Sequence, residues 1–336
     1  MSDRLLDIYD ALLLDLDGTV YRGGVPVPGA EYAVTAARAD GVAVRFVTNN
    51  ASRAPGEVSA HLTEMGIAAD PAEVSTSGQA GAAVLAERLD AGAEVLVIGS
   101  DALADEVVKV GLTVVRLAGP NVRAVLQGLS PRTAWADLAE ACVAIRGGAL
   151  WVACNVDRTL PTDRGLLPGN GSLVHALRVA TDQEPVVAGK PATPLMAESI
   201  RSADASRPLV VGDRLDTDIE GAVSAKLDSL LVLTGVATPA DVLAARPHER
   251  PTYVSADLSA VTDAASALEF TAKAGWTVGT DAGGLVAGGD GDPLDLLRTL
   301  CAAHWADGEG PVDVRPCDDG AAAALSALGL SGQPIG

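Results

Sequence analysis

Short apolar runs that stop abruptly at polar residues recur along this chain, and the stretches between them carry apolar residues at helical spacing. "ALLLDLD" (residues 11–17) and "VAVRFVTNN" (42–50) read as strands, each ending in polar side chains. Residues 29–40 between them read as a helix stopped by Gly41. "PGEVSAHLTEMG" (55–66) reads as a second helix, with Pro55 early and Gly66 as its stop. Strand, helix, strand, helix implies βαβ units and a parallel sheet.

The pattern resumes at "EVLVI" (94–98), "VRAVL" (122–126) and "ALWVA" (149–153), with "WADLAEACVAIRGG" (135–148) as a helix between the last two. "TDRGLLPGNGSLVHALRVATD" (162–182) reads as a Gly/Pro-punctuated loop leading into a helix, and "PVVAGK" (185–190) as a short apolar stretch. "RPLVVGDRLDTDIEGAVSAKLDSLLVLTG" (207–235) gives strand, loop, helix and strand. From about residue 262 the chain is richer in Gly and Asp, and a helix starts at Asp292–Pro293; this part reads as a separate small α+β unit. At ~150 residues per domain, 336 residues make two or three domains.

Composition narrows the function. The hydrophobic share is 48% but the aromatic share only 3%, so the cores are aliphatic and platforms for stacked bases are scarce. A net charge of −20 argues against a nucleic-acid partner and leaves small phosphorylated substrates open. No apolar run approaches ~18 residues, so no membrane span is expected, and "MSDRLLDIYD" lacks the basic and apolar regions of a signal peptide. Cys142, Cys154, Cys301 and Cys317 form no CxxC pair, which suits free thiols in a reducing cytoplasm; a Cys301–Cys317 bridge is left open. His61, His175, His248 and His304 are scattered without metal-ligand spacing.

The acids carry the chemistry. In a strand, Asp15 and Asp17 share one face and Leu16 points back. Both sit where an open α/β sheet places ligands, beyond the carboxyl ends of its strands. The plainer reading is a strand end whose acids cap the next turn. Three further apolar stretches also end in polar groups: Thr48, Asn49 and Asn50; Lys190; and Asp213, followed by Asp216 and Asp218. Together they fit phosphoryl transfer. A carboxylate and a phosphate dianion repel, and a hard divalent cation held by Asp15 and Asp213 offsets both charges. Lysine supplies a point charge, and a hydroxyl and N–H groups bind the remaining oxygens. One acid attacks to give an aspartyl-phosphate, and the second moves protons.

"DLDGT", "TNN", "GKP" and "GDRLDTDI", in this order, resemble the four motifs of the haloacid dehalogenase superfamily, and more narrowly its NagD-like branch with a C2-type cap. The resemblance covers roughly residues 8–258. It implies an α/β fold with a doubly wound parallel-sheet (Rossmann-like) core at 1–81 and 185–260, an inserted α/β cap at 82–184 that selects substrate, and an accessory α+β unit at 262–336. It implies Asp15 as nucleophile and Asp17 as general acid/base. It also implies Mg²⁺ on the Asp15 carboxylate, the Asp17 backbone carbonyl and Asp213, with Asp218 in support, and Thr48, Asn49, Asn50 and Lys190 on the phosphoryl group. The expected activity is phosphomonoester hydrolysis, with glycerol 3-phosphate or another small polyol phosphate first. Phosphoglycolate, pyridoxal 5′-phosphate and nucleotide monophosphates are alternatives, and a silent binding scaffold is a distant one. A homo-oligomer is left open.

In the cap, "CNVDRTLP" and "PGNGS" are the loops expected to meet substrate. Asn155 and Asp157 are candidate contacts, beside the plainer reading of a solvated turn. Val156 replaces the proline usual in the family. Lys226 stands where relatives tend to have glycine, which demands either a left-handed lysine or a different turn.

Overall fold

The apolar runs form parallel strands, and the helical stretches cover them, in two units: Met1–Ala43 with Arg207–Gly336, and Val44–Ser206. The structure is a computed structural model that describes residues 3–162, 164–281, 284–306 and 308–330. Asp163 in the loop expected before the helix, residues 282–283 of the Gly-rich stretch, and residues 331–336 of the expected C-terminal unit lie outside the described residues.

In the first unit four parallel strands lie in the order Tyr253–Ser255, Asp228–Val232, Pro208–Gly212, Ala11–Leu14. Ala11–Leu14 and Pro208–Gly212 are buried along their whole length, as strands covered on both faces must be. Leu14 lies opposite Val211, so both strands release their chains at the same end. The expected helix forms at Ala30–Ala39, and Gly41 follows at φ 75°. Helix Glu220–Ala225 ends on Lys226 at φ 59°, ψ 42°, so the lysine does adopt the left-handed conformation that glycine would take without penalty.

The C-terminal part of this unit is α+β as expected. Trp276–Asp281 pairs antiparallel with Gly284–Gly289, and Val314–Pro316 lies parallel to the latter. Helix Pro293–Trp305 is capped by Asp292, whose carboxylate accepts the Leu294 N–H at 2.8 Å. Its Leu296, Leu297 and Leu300 share one core with Val242, Leu243 and Val254.

In the second unit the strand residues Phe46–Thr48 pair in parallel with Val74–Thr76. A five-stranded parallel sheet runs in the order Val186–Val187, Leu150–Ala153, Val122–Gln127, Glu94–Ile98, Thr113–Val115. Helices Trp135–Arg146 and Asn170–Thr181 contribute Ala141, Ile145, Val174 and Leu177 to its core. Two expectations change here. "PVVAGK" yields only the two-residue edge strand Val186–Val187, so Lys190 does not end a long strand. The stretch read as a plain loop holds an antiparallel hairpin of Thr159–Thr162 and Gly165–Pro168, turned by Gly165 at φ 99°. No helix among the described residues is long and apolar enough to cross a membrane. All four cysteines are free thiols, Cys301 buried and Cys317 exposed, so no bridge joins them.

Candidate active site

The strand at the N-terminus stops one residue before its acids. Asp15 still donates its N–H to the Val211 carbonyl at 2.9 Å, but the chain then turns, with Gly18 N–H to Tyr21 O at 2.7 Å and Val20 N–H to Leu16 O at 2.9 Å. Gly18 takes φ 92°, and a Cβ there would run into the Asp213 carboxylate. The two acids therefore do not share a strand face. Asp15 is half-buried beyond the strand end, and Asp17 is exposed in the turn. The tight turn wins over continued pairing because the neighbouring strand ends at Gly212.

Asp15 meets Asp213 and Asp218, both buried; their carboxylate oxygens all lie within 4.8 Å of one another. Asp213 accepts the Thr19 hydroxyl at 3.2 Å and the Val236 N–H at 2.7 Å. Asp218 accepts the Arg214 N–H at 3.1 Å across a single π turn, Leu215–Ile219. Asp216 turns aside: its carboxylate forks with the Arg214 guanidinium at 3.0 and 2.8 Å and is exposed. A half-buried set of three carboxylates with no nitrogen or sulfur donor suits a hard cation such as Mg²⁺, because like charges at this spacing repel without one.

The second unit holds the remaining predicted residues around Asn49. Its Nδ2 donates to Asp157 Oδ2 at 3.2 Å and to the Lys190 carbonyl at 3.0 Å, and its Oδ1 accepts the Lys190 N–H at 2.8 Å. Its carbonyl accepts from Asn155 Nδ2 at 2.7 Å and Ser77 Oγ at 2.5 Å. Lys190 is 2% exposed, with Nζ donating to the Val47 carbonyl at 3.2 Å. Thr48 is buried, and its hydroxyl accepts the Asn50 N–H at 3.1 Å. Asn50 is exposed and uses its Oδ1 to accept the Ser52 N–H and hydroxyl, fixing the turn.

Asn155 and Asp157 are not a solvated turn, since both bond Asn49 and Asn155 is buried. Val156 does not loosen this loop. Gly171 N–H bonds the Asp157 carbonyl at 2.8 Å, and Gly169 N–H and the Ser172 hydroxyl bond that of Arg158 at 2.9 and 2.8 Å. Asn170, from "PGNGS", donates to the Asn155 carbonyl at 2.7 Å; the loop was legible, the residue was not. Cys154 beside this network is buried, which pushes its thiol up to about 12 and leaves it inert. Sequence reading also missed Val236 and the surface group Glu220, His248 and Glu249, whose ligand atoms lie within 4.8 Å of one another. Burial raises the Glu220 carboxyl, and the charge of His248 opposes it.

Residues 12–113 match the haloacid dehalogenase-like hydrolase family, and 187–261 match a further HAD-hydrolase-like family. Residues 273–330 match the GCN5-related N-acetyltransferase-like domain. The chain is 48% identical to the D-glycerol 3-phosphate phosphatase of Mycobacterium tuberculosis, over 96% of this chain and 94% of that one. It is 39% identical to the 5′-nucleotidase YutF of Bacillus subtilis, over 68% of this chain and 88% of that one. The crystal structure of the glycerol phosphate phosphatase of M. tuberculosis in complex with magnesium superposes with a TM-score of 0.94 at 48% identity, over 98% of this chain and 100% of that one.

Proposed function

The chain belongs to the haloacid dehalogenase-like hydrolases, and on that premise we propose that it is a Mg²⁺-dependent phosphomonoesterase acting on glycerol 3-phosphate or a similar small polyol phosphate. The observation that carries this reading is the group Asp15, Asp213 and Asp218, three carboxylates within 4.8 Å. Asp15, the Asp17 backbone carbonyl and Asp213 are assigned to the metal, with Asp218 in support. When bound, the cation offsets the repulsion between carboxylate and phosphate dianion.

Asp15 Oδ attacks phosphorus, and the P–O bond to the alcohol breaks. Asp17 gives its proton to the departing alkoxide; its exposure in the turn suits a group that must meet leaving group and water in succession. Asp17, now ionised, takes a proton from water. The resulting hydroxide attacks phosphorus, frees inorganic phosphate and restores the Asp15 carboxylate. Lys190, Thr48, Asn49 and Asn50 are assigned to the phosphoryl oxygens, where fixed charge and dipoles stabilise the transferring group. Residues 82–184 are assigned as the substrate-selecting cap, with Asn155 and Asp157 as contacts.

The choice of a polyol phosphate is supported by the mycobacterial relative, which matches nearly the whole chain, and by an aromatic share of 3%, which offers few rings for a base or pyridine to stack on.

The test is phosphate release with Mg²⁺ from glycerol 3-phosphate, phosphoglycolate, pyridoxal 5′-phosphate and UMP. The highest kcat/KM is expected for glycerol 3-phosphate. A preference for UMP would move the substrate to the class of the Bacillus relative. EDTA should stop turnover and Mg²⁺ restore it; turnover in EDTA would remove the metal assignment.

A further inference from the structure

Asp213 is held from two directions. One is its own strand. The other is the segment 234–237, which lies directly on it. Val236 N–H bonds the carboxylate at 2.7 Å and Ala237 N–H bonds its carbonyl at 2.9 Å. A Cβ at Gly235 would collide with Asp213 Oδ2, so only hydrogen fits there. The Thr234 hydroxyl donates to the Gly18 carbonyl at 2.6 Å, tying the turn after Asp15 to the same segment.

This segment runs straight into the short helix Pro239–Leu243, whose Thr238 cap bonds Asp241. That helix does not rest on the sheet alone. Ala237, Val242 and Leu243 share a core with the leucines of helix Pro293–Trp305. The Trp305 indole N–H donates to the Leu243 carbonyl at 3.2 Å, one of the carbonyls a helix end leaves without an internal partner. Arg250 lies 5.1 Å over the Trp305 ring and donates to the carbonyls of Ala245, Trp305 and Gly308 at 3.2, 3.1 and 2.7 Å. The C-terminal part of the unit thus grips the far end of the segment whose near end grips Asp213.

The start of helix Pro293–Trp305 is a place where a helix can hold an anion, but the chain's own acids fill it. Asp292 takes the Leu294 N–H at 2.8 Å, Asp318 takes the Gly289 N–H at 2.7 Å, and Asp290 takes the Gly291 N–H at 3.0 Å. A phosphate-bearing ligand would meet carboxylates instead of free donors.

We propose that the C-terminal part acts as a prop that fixes segment 234–237 on Asp213, with Trp305 as the positioning residue; its link to metal binding rests on the reading of Asp213 given above. Trp305→Phe tests it in the full chain. The variant keeps a six-membered ring beside Phe270 and under Arg250 and removes the indole N–H together with part of the ring, a loss of packing that the next variant controls for. Amide hydrogen exchange at Val236 and Ala237 should speed up about fivefold. The Mg²⁺ dissociation constant, read by calorimetry, should rise about threefold to tenfold, with KM for substrate unchanged. Leu325→Ala, buried elsewhere in the same core, should lower Tm at least as much and move neither readout. Unchanged exchange at 236–237 in Trp305→Phe overturns the prop, whatever the metal does. Faster exchange with unchanged Mg²⁺ affinity, while Asp213→Asn abolishes binding, overturns its coupling to the site. If Asp213→Asn binds Mg²⁺ as the wild type does, the reading of Asp213 is at fault, and amide exchange alone then decides the prop.

Discussion

The two groups of polar residues are kept in opposite ways. In the first unit three carboxylates of one sign crowd within 4.8 Å, steadied by a hydroxyl and backbone N–H groups. In the second, amides, a threonine and a lysine bond one another and the backbone, and Asn49 alone reaches Ser77, Asn155, Asp157 and Lys190. The first arrangement is costly until a cation arrives. The second is bonded largely within itself, with Asn170 Oδ1 as a buried atom that no hydrogen bond reaches. Charge concentrated at a strand end therefore marks where a cation is expected, and a network bonded within itself holds in place the groups proposed to meet the phosphoryl oxygens.

The contrast has consequences that separate the two groups by experiment. The largest effect belongs to Asp15→Asn. Phosphate release should fall by a factor of about 10⁴ or more. In EDTA the same variant should melt higher than wild type, because one of three repelling charges is gone. A lower melting point would break the picture of a strained acidic group. Next comes Lys190→Met, a neutral side chain of similar length, for which kcat should fall about 10²- to 10³-fold. Full activity in that variant would take the lysine out of the reaction. Asn49→Ala should behave unlike Asp15→Asn, losing stability together with activity. Three side-chain hydrogen bonds vanish, and about 1–3 kcal/mol should disappear from a urea melt.

The smallest effect lies outside both groups. The Asp318 carboxyl is held below the usual carboxylate range by the Ala321 N–H first and the Gly289 N–H second. A folded-state value below the unfolded one stabilises at neutral pH, and that contribution is lost as the pH falls below the ordinary aspartate range through the folded value. Asp318→Asn should thus lower Tm slightly at pH 7. Wild type and variant should converge once the pH falls well below the ordinary aspartate value; a gap that persists there would mean the charge is not the cause.

Much of this was readable before any coordinates. Helix stops such as Gly41 and Gly66 and the Asp292–Pro293 start are local chemistry, and the structure keeps them. The parallel sheets follow from alternation of strand and helix. What failed was set by contacts between distant residues. Whether "ALLLDLD" continues as strand depends on where its neighbour stops, near Gly212. Lys226 could be flagged but not settled, because its strain is tolerated by the helix it ends. Asn170 joins the amide network across a turn, and an amide carries no sequence signal that it will be buried. His248 gathers with Glu220 from a turn far along the chain, so no spacing revealed it.

The pairing of Leu14 with Val211 also sets a timetable for synthesis. Val44–Ser206 is one continuous stretch, complete before Val211 is made. Asp15, made at the outset, must wait for Val211, and at ~5–20 residues per second that is roughly 10–40 seconds. Trp305 arrives later still. A nascent chain thus carries Asp15, the proposed nucleophile, long before it has strand Pro208–Gly212 beside it, and Asp15 and Asp213 stay apart until most of the message has been read.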